Sequence, residues 1–151
     1  MNRFNEFENL PANIRSEIFC FMLTSLLGKN PEKKYSEISD KSMIALINCS
    51  ILLNISPSAS LKRNLSRDQS IMFNTLNDLN LSQKQFLMLI SFALNAVGNK
   101  PSHEDFEYTF FLFNQIDVAQ EEYSNYCLQN EGLIKLWKII LSKPTLPDNT
   151  Y

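Results

Sequence analysis

Residues 81–113, LSQKQFLMLISFALNAVGNKPSHEDFEYTFFLF, decide the fold class. Ser82 with Gln85 three residues later fits a capping box, and Phe86, Leu89, Ile90 and Ala93 then recur at helical spacing. The helix they predict is apolar on every side, which places it in the middle of a bundle with other helices around it. Gly98 supplies a left-handed C-terminal residue and Pro101 blocks continuation. Ser102 and Asp105 repeat the capping pattern for the next helix, on which Phe106, Phe110 and Phe113 stand at i, i+4 and i+7 and are assigned to the core.

Upstream, the apolar run Ile18 to Leu27 predicts a helix with Pro11 in its first turn and its stop near Gly28, Asn30 and Pro31. After a polar loop from Lys29 to Ser39, a second helix starts at a Ser39 or Asp40 cap and ends at Asn54 and Pro57. The stretch Ser56 to Leu65 reads as a loop, and a third helix starting at Ser66 carries Met72, Leu76 and Leu79. Downstream, the polar stretch Asp117 to Gln129, with Tyr123 and Tyr126, is a candidate sixth helix. Leu133, Leu136, Trp137, Ile140 and Leu141 then outline a seventh, with Lys135 and Lys138 opposite, stopped by Pro144 and Pro147. No alternating strand pattern and no Asn-Gly or Asp-Gly hairpin signal occurs. The expectation is all-α: a single irregular helical bundle of about six to seven helices spanning 1–151, with 1–9 and 143–151 as flexible ends.

A chain of 151 residues with 44% hydrophobic and 20% charged side chains has the size and composition of one domain that folds without metal or disulfide staples. Its longest apolar stretches fall short of the about 18 residues that suggest a membrane span. Cys20, Cys49 and Cys127 are odd in number, widely spaced and set among apolar neighbours. They fit reduced thiols packed as small hydrophobes, which together with the absence of a signal-like h-region points to the cytoplasm.

The sequence argues against most site chemistry. Zinc needs four Cys or His ligands with local pairing, whereas His103 is the sole histidine. His103 and Glu107, four apart and near Glu104, read first as the acidic start of a helix favoured by the macrodipole. No local pattern makes a nucleophile of any cysteine, and no G-x-S-x-G, G-x-G-x-x-G or phosphate-binding loop occurs. No cofactor, metal or enzymatic activity is expected. A net charge of -2 argues against a nucleic-acid binder, and the basic cluster Lys62, Arg63 and Arg67 lacks interleaved aromatics and reads as a solvated loop.

Charge is segregated instead. Residues 101–134 hold seven acids and no Lys or Arg, while the rest of the chain holds 14 basic and nine acidic side chains. The same segment carries seven of the seventeen aromatics. Acids around tyrosines read either as a solvated face or as a docking surface, because Tyr joins a large apolar area to a water-tolerant hydroxyl and acids steer basic partners. Read as a docking surface, its residues are Glu104, Glu107, Tyr108, Asp117, Glu121, Glu122, Tyr123 and Tyr126, and its partner is a basic protein rather than nucleic acid or membrane.

With Asp117, Glu121, Glu122, Tyr123 and Tyr126, the segment resembles the acidic, tyrosine-bearing surface of bacterial immunity proteins. That resemblance implies a cognate nuclease-type toxin encoded nearby and inhibition by occluding its basic active site. A second resemblance is to the TerB-like helical domains of tellurite-resistance and phage-defence clusters, carried by Ala93, Ala96, Gly98 and Glu104. Here Val97 stands where that family has an Asp, and Lys100 and Pro101 replace its Val-Ser pair. The alternative it implies is a stress or defence module with a weak metal site.

Overall fold

The computed structural model describes residues 5–28, 40–58, 68–98 and 103–143. The described residues form eight helices and no strand: α1 (Asn5–Glu8), α2 (Ala12–Leu27), α3 (Asp40–Leu53), α4 (Gln69–Leu76), α5 (Leu81–Gly98), α6 (His103–Asn114), α7 (Gln120–Gln129) and α8 (Glu131–Ser142). This is the all-α bundle the periodicities predict. The additional element is α1. Its Phe7 is 1% exposed and its ring lies 5.3 Å from that of Phe86, so this short helix docks on the bundle through Phe7. Residues 1–4 and 144–151, with Pro144 and Pro147, lie outside the described residues, as do the Lys62, Arg63 and Arg67 cluster and Ser66.

α5 is the central helix, packed against α1, α2, α3, α7 and α8. Phe86 to Ile90, Ala93, Leu94 and Val97 are buried, as an all-round apolar helix requires. Its start differs from the expected box. Asn80 Oδ1 accepts from the Gln83 backbone N–H at 2.8 Å, and Gln83 Oε1 accepts from the Asn80 N–H at 3.0 Å. The reciprocal cap is therefore Asn80 with Gln83, and Ser82 instead donates to Glu6 Oε1 at 3.1 Å, fastening α1 to α5. The cap that Ser102 would form falls outside the described residues.

The other helix ends obey local chemistry with small shifts. Pro11 precedes α2 as its N-cap, and Gly28 at φ 71° closes it, donating to the Thr24 carbonyl at 3.1 Å. α3 ends on Asn54 at φ 54°. There Ile55 N–H bonds the Ser50 carbonyl and Asn54 N–H the Ile51 carbonyl, a Schellman closure with Asn in the glycine's place. α4 begins after Asp68, whose carboxylate accepts from Ser70 N–H at 2.9 Å. Leu79 is buried in the turn beyond α4, rather than on the helix.

Two further ends are closed from a distance. Arg15 on α2 donates through Nη1 to the Leu53 carbonyl at 2.6 Å and to that of Asn54 at 3.1 Å, placing a cation on the C-terminus of α3. Asn48 on α3 closes α8 in the same sense, through the Leu141 and Lys143 carbonyls. These bonds tie α2, α3 and α8 around α5 and leave α6 and α7 as the outer pair.

Candidate partner-binding surface on the outer helix pair

α6 and α7 form a hairpin because their turn is anchored at both ends. Ile116 and Val118 are buried, and their N–H groups both bond the Phe113 carbonyl at 3.0 Å. Asp117 between them takes φ 64°, a left-handed conformation that Asp tolerates better than most residues. α7 then starts at Gln120, where Glu122 Oε1 accepts from the Ala119 N–H at 3.1 Å. Asn130 serves both the end of α7 and the start of α8, its Nδ2 donating to the Tyr126 carbonyl at 2.7 Å.

All seven acids of the segment, Glu104, Asp105, Glu107, Asp117, Glu121, Glu122 and Glu131, are exposed. Helix geometry puts Glu104, Glu107, Tyr108 and Phe111 on one stripe, at i, i+3, i+4 and i+7. Phe111 is 52% exposed and pairs with the half-buried Tyr108, ring centroids 5.9 Å apart and planes at 26°. Burial raises the Tyr108 phenol above its ordinary pKa.

Tyr123 corrects the expectation. It is 1% exposed, with its ring 4.8 Å from Phe113, 5.2 Å from Phe110 and 6.5 Å from Phe92. Burial, and secondarily the Cys127 thiol, hold its phenol well above the usual value. Tyr123 and Cys127 are four apart and both turn inward, so in an otherwise polar helix this pair forms the core stripe. Tyr123 is a core residue and no docking anchor. Tyr126 is half-buried, its pKa raised by burial first, then by Cys127 and by the nearby Glu6.

The phenylalanines divide as well. Phe113 is fully buried, as expected, but Phe106 and Phe110 are only partly covered and line open grooves. A groove of about 350 Å³ lies between α6 and the start of α7, lined by Glu107, Phe110, Phe111, Asn114 and Gln120. A larger, mainly apolar groove of about 520 Å³ lies where α5, α6, α7 and α8 meet, with Phe92, Phe106, Tyr123 and Leu128 in its wall and His103, Glu131 and Lys135 among its polar groups. Phe110 belongs to both. The expectation missed Phe111 because it followed the Phe106, Phe110 and Phe113 spacing; the stripe shared with Glu104 and Glu107 was the available signal.

His103 Nε2 lies 2.7 Å from Glu107 Oε1, with both side chains exposed. Among the described residues, no group of three or more His, Cys, Asp or Glu side chains is placed to hold a metal ion. Val97, where the TerB-like pattern has its acid, is buried in the core. All three cysteines are free and buried, and burial pushes the Cys49 and Cys127 thiols up to about 12, far from the thiolate a nucleophile needs. Among the described residues no helix is long and apolar enough to cross a membrane. No family model, curated protein or solved structure matches the chain.

Proposed function

We propose that this chain acts by binding a basic protein through the α6–α7 face, as an immunity-type inhibitor that covers the active site of a nuclease-type toxin and performs no chemistry itself. The observation that carries the reading is that all seven carboxylates of 101–134 stand exposed in a segment with no Lys or Arg, with Glu104 and Glu107 on the same helix stripe as the exposed Phe111 and its ring partner Tyr108. Acids at such a density steer a cationic partner and exclude nucleic acid, while exposed rings supply the apolar contact from which interfaces draw most of their energy. The surface residues are Glu104, Glu107, Tyr108, Phe111, Asp117, Glu121 and Glu122, with Tyr126 at the margin.

The test is co-expression of the tagged chain with the product of the adjacent gene, followed by purification at low and at high salt. The reading expects a stoichiometric complex that weakens as salt rises, and a loss of roughly tenfold or more in affinity on charge reversal of Glu121 and Glu122 together. A complex indifferent to salt and to that reversal would place the interface elsewhere and sink the proposal.

A further inference from the structure

We infer that the groove between α6 and the start of α7 receives an arginine side chain of the basic partner, with Glu107 as its counter-ion and the Phe110 and Phe111 rings as its walls. The inference rests on the partner-binding reading of this face and specifies how that face recognises its ligand.

The groove's lining is one carboxylate, from Glu107, two carboxamides, from Asn114 and Gln120, and two aromatic rings. A guanidinium offers five N–H donors in a plane, binds a carboxylate in that plane, and stacks its flat, weakly hydrated faces on aromatic rings. A lysine ammonium is a compact, strongly hydrated charge and uses flat walls less well. The volume of about 350 Å³ accommodates one long side chain. Phe111 stacks on Tyr108 with ring centroids 5.9 Å apart, which braces that wall, and Glu107 meets His103 at 2.7 Å in an exposed pair. The charge of the surroundings selects the same sign, since 101–134 contains no Lys or Arg and the guanidinium takes Glu107 from the exposed His103 imidazole. Across the Phe110 ridge, the larger groove carries both Glu131 and Lys135, and its charge selects neither sign.

The experiment titrates the isotopically labelled full chain with N-acetyl-Gly-Arg-Gly-amide and with its lysine counterpart, followed by NMR. The arginine peptide is expected to shift the Asn114 and Gln120 side-chain amides and the Phe111 ring along a saturable curve, about threefold or more tighter than the lysine peptide. Glu107→Gln and Phe111→Leu are each expected to weaken it about threefold or more while the remaining amide spectrum, which reports the fold, stays in place. Linear, equal shifts from both peptides spread over all the acids would overturn the assignment, as would an arginine response that survives Glu107→Gln. Capture of a basic protein through Glu121 and Glu122, with the arginine peptide ignored, removes the groove and leaves the partner reading standing. Arginine binding as described without any basic protein partner supports the groove and removes the partner reading.

Discussion

Asn48 closes the C-terminus of α8 by donating its Nδ2 to the Leu141 carbonyl at 2.9 Å, across 93 residues of sequence. The same nitrogen reaches the Lys143 carbonyl at 2.7 Å. The last carbonyls of a helix have no partner within it, and here a buried amide from α3 supplies one.

Asn48→Asp keeps the shape and removes the donor, leaving the Leu141 and Lys143 carbonyls, the first of them buried, facing an oxygen. Urea unfolding is expected to show a loss of about 1–3 kcal/mol, with Asn48→Ala in the same range. A variant as stable as the parent would mean that these bonds carry no net stability.

Arg15 does the corresponding work for α3, with a charge added and a third bond from Nε to the Leu10 carbonyl at 3.0 Å. Arg15→Met preserves the apolar stem and is expected to lower stability by roughly 1–2 kcal/mol, and Arg15→Lys by less, since lysine keeps the charge but not the fork. Thermal melts of the two variants side by side separate the charge from the geometry.

Phe111 and Phe113 are two residues apart and have opposite fates. Phe113→Ala is expected to destabilise by about 3–5 kcal/mol because it empties a filled site against Phe21 and Tyr123, whereas Phe111→Ala should stay within about 0.5 kcal/mol of the parent. Tyr123→Ala belongs with Phe113, and Tyr123→Phe, which keeps the ring, should be tolerated. Equal losses at 111 and 113 in denaturant titrations would contradict the assigned faces.

Alkaline pH should unfold the protein early. The Cys49 and Cys127 thiols move from an ordinary 9.0 to about 12 in the folded state, and the Tyr123 phenol also rises. Each group keeps its proton in the native state while the unfolded chain loses it, so the contribution is fully present below pH 9 and is lost as pH climbs from there toward about 12. Urea midpoints measured across this range are expected to fall steadily, and Cys49→Ala should flatten the fall by up to about 1.4 kcal/mol per pH unit, whatever its own effect at neutral pH.

The all-α class, the central position of α5 and the helix stops at Gly28 and Asn54 were legible because each depends on residues within a turn or two. A helix apolar all round can only be covered on every side, and a left-handed terminus favours Gly or Asn wherever it lies. The α5 cap lies two residues before the one the spacing predicts, because Asn80 with Gln83 and Ser82 with Gln85 satisfy the same local rule. What separates them is tertiary, since Ser82 is engaged by Glu6 of α1.

The segregation of charge, likewise, is a property of the sequence alone: seven acids without a Lys or Arg remain so in any fold. Which aromatic stands among them was settled by packing. Tyr123 goes inside because α5 and α6 present Phe92, Phe110 and Phe113 to that side of α7, and Phe111 stays out because no described helix covers its stripe. Periodicity describes one helix at a time, while burial depends on the neighbour that arrives from elsewhere. For the same reason the caps that Arg15 and Asn48 provide, across 38 and 93 residues, exist only once the helices have met.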